Sequence, residues 1–393
     1  MRVGRLMRRL PTTLLVTLLL MVTLMAPAAA QPAVEFETPT ASGSFGESVV
    51  FTTDFATDAQ LVRVEMLSRQ PGDDADLVTI ADVTGGDGRW TASVYQGGHI
   101  VPNTSWDFRF RVVTDEGSVT SPAGSHRLLD ERFEWDVLGG EIVNVWTYEG
   151  SDDFAEDALA IAETAITDAA GLLGVEDIEP VDFLLYTDTR EFRDAMGPAT
   201  RENVGGQAHP RIRTLFGLIQ PRQIDSDWAD ELITHELAHL VFHEAVDNPY
   251  QYPPRWLNEG LAVYLSKGYD DGDRRQVQGA AGGGTIIPLE GLGGQFPTRP
   301  GRQSLAYAES ISAVDHFVET FGQDRLVRLI NAFGEGSGLD GAFLAATGED
   351  FAAFDAAWLD SLGADEPEPY GPTDSVPGPV PEAWTTDLEL LLR

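Results

Sequence analysis

Two histidines four residues apart, His235 and His239, constrain this chain more than any other feature. They lie in an apolar stretch that follows the capping residues Ser226 and Asp227, a pattern that predicts an α-helix. An α-helix advances by about 100° per residue, so side chains four positions apart point in the same direction. Two imidazoles on one face of a helix can therefore bind the same metal ion.

Two acidic residues complete this pattern. Glu236 follows His235 directly, so its side chain is poorly oriented to bind an ion held by the two histidines. It can instead take a proton from a water molecule bound to that ion. Glu259 comes twenty positions after His239, in a second predicted helix that begins after two prolines. Zinc bound by two histidines and one glutamate keeps a fourth position open for water or substrate. We therefore expect His235, His239 and Glu259 to bind Zn²⁺.

The motif and the run from Trp256 to Gly260 resemble the gluzincin zinc metallopeptidases, most closely the bacterial peptidase MA-like group. The resemblance covers roughly residues 140 to 362. It implies an α+β fold with a zincin-like metallopeptidase domain, in which a small sheet covers the active-site helix and an all-helical subdomain follows. It also implies hydrolysis of peptide bonds by a zinc-bound water that Glu236 activates.

One segment favours an endopeptidase over an aminopeptidase. The Gly-x-Met-Glu-Asn segment of the related M1 group, which binds the free amino end of a substrate, has no match in this chain. The nearest equivalent, residues 205–210 before 212–219, predicts an edge strand that could hold an extended peptide.

Three residues either depart from the pattern of related metallopeptidases or allow more than one interpretation. Val263 stands where thermolysin-like enzymes have an acid that orients the first histidine. His243 lies one turn beyond His239, but the third-histidine spacing of metzincins is not met, so we expect a packed or supporting residue. Tyr307 matches a Tyr-x-x-Ser stretch of the MA-like family and is either an oxyanion donor or a core or surface tyrosine. The remaining histidines are isolated and are predicted to be structural: His99, His126, His209 and His316.

The ends of the chain indicate an exported protein. Residues 1–30 combine arginines, an apolar run and three alanines, which predicts a signal peptide cut after Ala30 and a secreted or extracytoplasmic product. Residues 363–393 are predicted to form a proline-rich acidic tail. The eleven residues after its prolines, 383–393, are too few and too charged to span a bilayer, so no membrane span is expected after signal cleavage. The chain has no cysteine, so neither disulfides nor cysteine metal sites are expected.

Charge restricts the partners. The formal net charge of −37 argues against binding to nucleic acid, whose phosphates would be repelled. A peptide or protein substrate remains the expected partner. Two other functions stay open: an exported binding or adhesion protein with a structural metal domain, and a zinc amidase acting on cell-wall material. Glu236 speaks against the first, since a purely structural site has no need of a base.

The pattern of apolar and polar residues divides the chain into two expected domains. Strand-like alternation at 62–66 and 106–112, with turn signals between, predicts an immunoglobulin-like or fibronectin III-like β-sandwich over residues 31–135. We expect it to place substrate or to attach the protein. The peptidase domain is expected over residues 140–362, with a mobile loop at 279–294 near the cleft.

Overall fold

The computed structural model describes residues 33–367, except residues 74, 199–204, 249 and 251. The predicted signal peptide and all but the first residues of the predicted tail lie outside this part of the chain. No helix among the described residues is long and apolar enough to cross a membrane.

A β-sandwich forms the first part of the described chain. Its two sheets have the strand orders β1-β3-β7-β6, with β2 beside β3, and β10-β8-β4-β5, with β9 beside β8. The strands are β1 (Val34–Phe36), β2 (Thr40–Ser44), β3 (Ser48–Thr57), β4 (Leu61–Arg69), β5 (Leu77–Ile80), β6 (Asp82–Gly86), β7 (Arg89–Gly97), β8 (Ser105–Thr114), β9 (Gly117–Thr120) and β10 (Gly124–Arg127).

Alternation of apolar and polar residues builds the core of this sandwich. Every second residue of β8 is buried, and Phe108 and Phe110 point inward from it. Phe51 of β3 meets Phe108 edge to face across the two sheets, with ring centroids 4.9 Å apart. A period of two places one side of each strand in the core and the other in solvent, as expected for packed antiparallel sheets.

A third sheet opens the second part of the chain. Its order is β11-β12-β13-β15-β14, in which β12, β13 and β15 are parallel and the two edge strands are antiparallel. The strands are β11 (Asp136–Gly139), β12 (Val143–Thr147), β13 (Val181–Tyr186), β14 (Gly206–His209) and β15 (Thr214–Leu218). Strand β14 is therefore the edge strand that the sequence predicts.

Helices cover this sheet and extend beyond it. The helices are α1 (Asp152–Leu173), α2 (Thr189–Met196), α3 (Asp227–Val246), α4 (Arg255–Ser266), α5 (Asp271–Gly283), α6 (Pro300–Phe321), α7 (Gln323–Gly334), α8 (Leu339–Thr347) and α9 (Phe351–Leu362). Helices α1 and α3 share one buried cluster with the sheet, and α2 packs on the opposite face. The sheet over α3 and the helical region after it confirm the predicted α+β class.

The loop predicted at 279–294 is only partly a loop. Helix α5 continues through the first glycines to Gly283 and ends at Gly284, whose φ of +63° suits the left-handed cap. Val277 and Ala280 are buried, and this burial stabilises the helix despite its glycines. The last part of the segment, Gly293 and Gly294, does lie beside the cleft described below.

A polar cluster joins the sandwich to the third sheet. Asn103 donates from Nδ2 to Thr214 Oγ1 (2.7 Å) and to Asp182 Oδ2 (3.0 Å), and Arg127 donates to the same carboxylate oxygen (2.8 Å). Asp182 and Thr214 are register partners at the starts of β13 and β15. The sandwich thus supports the end of the sheet at which the chain turns from the edge strand β14 into β15.

Candidate metal centre and cleft

Helix α3 carries the first part of the site. Ser226 caps it by accepting a hydrogen bond from Ala229 N, and acidic residues occupy its first turn, where they suit the helix dipole. Ile233 and Leu237 on one side are fully buried, which fixes the rotation of the helix. His235 and His239 then lie on the side that faces a cleft, with side chains 20% and 16% exposed.

Helix α4 brings the third residue to the same place. Its first turn follows Pro254, and Trp256 stacks on Phe351 and Phe354 of α9. Gly260 lies against the backbone of Ser310 in α6, so the two helices approach closely. This packing places the buried carboxylate of Glu259 opposite the two histidines.

The three predicted ligands form one compact group. His235 Nε2 and His239 Nε2 are 3.2 Å apart, and Glu259 Oε2 lies 3.6 and 3.5 Å from them. Tetrahedral zinc with bonds near 2.0 to 2.1 Å needs ligand atoms about 3.3 Å apart. The donor types and their spacing therefore fit zinc, and within the described ranges no other group of three such side chains is found.

Asn258 fixes the ring of His239. His239 Nδ1 and Asn258 Oδ1 are 2.9 Å apart, so the amide oxygen accepts a hydrogen bond from Nδ1–H, and Nε2 is the nitrogen that faces the group. The sequence analysis did not identify this residue, although it stands directly before Glu259 in the run from Trp256 to Gly260. It orients the second histidine, His239, whereas the acid that is missing at Val263 would orient the first, His235.

The side chains of this group strongly affect one another's pKa values. Burial alone would lower the pKa of His239, but Glu259 and Asn258 outweigh it and raise this pKa to about 9. Burial alone would raise the pKa of Glu259, but hydrogen bonds and charge from the two histidines hold it well below its ordinary value. The buried carboxylate thus attracts positive charge to the point between the three side chains.

Glu236 is held by the edge strand. Ala208 N donates to Glu236 Oε2 over 3.0 Å. A Cβ at Gly206 would lie 2.7 Å from Glu236 Cγ, so only glycine allows β14 to pass this closely. The base predicted from sequence is therefore placed between the metal group and the strand predicted to hold substrate.

An open cleft of about 1080 Å³ contains these groups. Strand β14 forms one wall, helices α3 and α4 form the floor, and the opposite wall comes from the loop at Gly293 to Gln295 and from helix α6. A cleft of this size and form can take an extended chain of several residues.

A family model of the Peptidase MA superfamily matches residues 161–364, which is more than half of the 393 residues. The chain belongs to this superfamily. It is a zinc metallopeptidase of the gluzincin type, and thus a hydrolase, as the sequence predicts.

Solved structures of two bacterial proteins are similar to this peptidase. An aminopeptidase N family protein from Idiomarina loihiensis has a TM-score of 0.44 and 12% identity, covering 83% of this chain and 76% of its own. The M1 zinc metallopeptidase from Deinococcus radiodurans has a TM-score of 0.39 and 11% identity, covering 87% of this chain and 97% of its own. No curated protein matches the chain.

Tyr307 of the peptidase lies at the cleft, as one of the two predictions for it requires. Its ring centroid is 6.5 Å from that of His235 and 5.3 Å from that of Phe296. Burial, assisted by the charge of Glu259, raises the pKa of Tyr307 to about 12, so its hydroxyl stays protonated at neutral pH. A neutral hydroxyl at this place can donate a hydrogen bond into the cleft.

Two other histidines of the peptidase need comment. His243 packs against Tyr252, with ring centroids 6.0 Å apart, and takes no part in the group of three ligands. His209, predicted to be structural, lies in β14 and lines the cleft beside Gln207. Burial lowers the pKa of His209 to about 4, so its ring is neutral. Its position depends on strand pairing, which local sequence does not reveal.

Proposed function

We propose that this peptidase is a secreted endopeptidase in which His235, His239 and Glu259 hold Zn²⁺ and Glu236 acts as the general base. The observation that carries the proposal is the meeting of the three ligand atoms beside Glu236 in an open cleft. A bound zinc ion supplies a Lewis acid and a water molecule of lowered pKa. The protein residues supply the orientation and the proton transfer.

Glu236 is suited to move a proton between two partners. Its Oε2 accepts from Ala208 N, which fixes the plane of the carboxylate. Its Oε1 has no hydrogen-bond partner among the described residues and can take a proton from the attacking water. The same oxygen can then give that proton to the amide nitrogen of the leaving peptide, as general acid catalysis requires.

Tyr307 is proposed as the donor to the carbonyl oxygen under attack. Negative charge develops on that oxygen as the tetrahedral centre forms, and a preorganised neutral hydroxyl stabilises it. The raised pKa of Tyr307, about 12, keeps this hydroxyl protonated at neutral pH. Its place on α6, opposite α3, lets it reach a substrate from the far side of the cleft.

Strand β14 is proposed to bind the substrate backbone. As the edge strand of its sheet, it pairs with β15 on one side only among the described strands, and its other side faces the cleft. A peptide can add to such an edge through main-chain hydrogen bonds, independently of its sequence. Because the edge borders Glu236, the bound peptide would pass directly over the base.

The cleft supports cleavage within a chain rather than at its amino end. Among the described residues that line it, the carboxylates are Glu236 and Glu259, and both are already engaged at the metal group. An aminopeptidase needs a further acid to bind the free amino group of its substrate. Secretion is supported by the sequence of residues 1–30 alone.

Zinc content and peptide turnover test the proposal together. The chain without residues 1–30 should bind one zinc ion and cleave a quenched peptide library in a chelator-sensitive manner. Glu236→Gln should retain the zinc and lose turnover, while Glu231→Gln, on the same helix but outside the cleft lining, should retain both. Cleavage of amino-acetylated peptides should match that of free ones.

Each contrary result has a definite meaning. Turnover by Glu236→Gln at the level of the original protein would refute the role of the base. Cleavage restricted to peptides with a free amino group would refute the endopeptidase proposal in favour of an aminopeptidase. Zinc binding without any peptide cleavage would refute the proposal of a peptide substrate. It would favour the alternative that the enzyme hydrolyses amide bonds of cell-wall material.

A further inference from the structure

Arg255 holds one oxygen of the proposed glutamate ligand. Its Nε and Nη2 donate to Glu259 Oε1 over 3.0 and 2.8 Å. The other oxygen, Oε2, is the one that lies 3.6 and 3.5 Å from the nitrogens of His235 and His239. The two oxygens of this buried carboxylate therefore have separate partners.

Without the guanidinium, Oε1 would have no hydrogen-bond donor among the described contacts. A carboxylate can turn about its last bond and bind a cation through either oxygen or through both. Two donors on Oε1 disfavour binding of a cation through both oxygens, because Oε1 would have to give up a charge-assisted pair of hydrogen bonds inside the protein. Glu259 is thus prepared to offer Oε2 alone to the cation.

Arg255 is itself fixed by its surroundings. Its guanidinium lies over the ring of Phe296, 5.0 Å from the centroid, and its backbone N donates to Gly293 O over 2.9 Å. Phe296 is buried and meets Tyr307 edge to face. The arginine can therefore hold the carboxylate without itself moving, and it connects the loop on one wall of the cleft to the metal group.

The location of Arg255 also runs against a local rule. It is the first residue of α4, and the first turn of that helix contains no acid. A cation at a helix N-terminus opposes the helix dipole, at a cost of about 0.3 to 1 kcal/mol. The contact that offsets this cost is the ion pair with Glu259, which lies one turn further along the same helix.

We propose that Arg255 is a positioning residue that fixes Glu259 as a one-oxygen zinc ligand. This inference rests on the proposed function, because it concerns the same zinc site. Loss of a residue that orients a ligand typically weakens metal binding by about 10- to 100-fold.

The test is zinc affinity, measured by competition with a chelator. Arg255→Gln should weaken zinc binding by about 10- to 100-fold, and Arg255→Lys, which keeps the charge but not the fork, should recover part of the loss. Arg274→Gln is the matched control, since Arg274 also pairs with an acid and lies over an aromatic ring, 4.1 Å from the centroid of Tyr269. It should bind zinc as the original protein does.

A double substitution separates positioning from general destabilisation. If Arg255 acts through Glu259, Arg255→Gln should cost no further zinc affinity once Glu259→Gln is present. Additive losses, or an unchanged zinc affinity of Arg255→Gln, would overturn the inference. The proposed function would survive either result, provided the original protein binds zinc and cleaves peptides; an original protein without zinc would refute both.

Discussion

Replacing Glu309 should change how the stability of the protein depends on pH. Glu309 lies in α6, is fully buried, and both of its oxygens accept from Ile287 N, at 3.1 and 3.2 Å. Burial disfavours the charged form and raises its pKa from the ordinary 4.5 to about 8. Neither the hydrogen bond from Ile287 nor the charge of Arg302 is sufficient to cancel this effect.

The direction and size of the change in stability follow from this difference in pKa between the folded and unfolded states. The folded state binds the proton more tightly than the unfolded chain, so the stabilisation is complete below pH 4.5 and is lost as the pH rises through about 8. At about 1.4 kcal/mol for each pH unit, the whole range corresponds to about 5 kcal/mol. Between pH 5.5 and 7.5, the free energy of unfolding should fall by about 3 kcal/mol from this residue alone.

Glu309→Gln removes the titration and keeps an acceptor for Ile287 N. Urea unfolding of both proteins at pH 5.5, 6.5 and 7.5 should show the variant gaining about 3 kcal/mol relative to the original over this range. Glu319→Gln, at the exposed end of the same helix, is the matched control and should gain little. A difference between the Glu309 variant and the original protein that is the same at each pH would refute the reasoning.

Three further predictions concern close contacts and buried charge. Gly206→Ala would set a methyl group 2.7 Å from Glu236 Cγ, so peptide assays should show kcat reduced by about a hundredfold, while metal analysis shows full zinc content; unchanged kcat would contradict this. Gly260→Ala would press Cβ into the backbone of Ser310, and urea titration should show a loss of about 1 to 3 kcal/mol, whereas an unaltered midpoint would argue against tight helix packing. Asp130→Ala removes the buried acceptor of a tyrosine hydroxyl and an arginine, and the same titration should show a loss of about 3 to 5 kcal/mol, which an unchanged unfolding curve would disprove.

Local spacing made much of the candidate site predictable. His235, Glu236 and His239 lie on one helix, and the geometry of a helix follows from its hydrogen bonding whatever surrounds it. Glu259 was predicted from its distance along the chain and from the resemblance. The structure brings these residues together as expected. The strands at 62–66 and 106–112 were also predictable, because alternation of apolar and polar residues with a period of two is typical of a half-buried strand.

Other features depended on contacts that local pattern does not encode. The first glycines of the segment 279–294 were interpreted as loop, but they continue helix α5, because burial of Val277 and Ala280 outweighs the weak helix propensity of glycine. The fixing of His239 by Asn258 concerns a residue within the recognised run, yet its role requires two helices to meet at a given rotation.

By itself, the sequence predicted the chemistry that is proposed for this protein: the proposed ligands, the proposed base and the helices that carry them follow from spacing along the chain and from the family resemblance. Only the tertiary structure decided how that chemistry is held. The edge strand that contacts Glu236, the arginine that holds Glu259 and the burial that raises the pKa of Glu309 all join or enclose groups from separate elements. Such contacts are set by packing across the whole domain, so a periodic pattern in one segment cannot specify them.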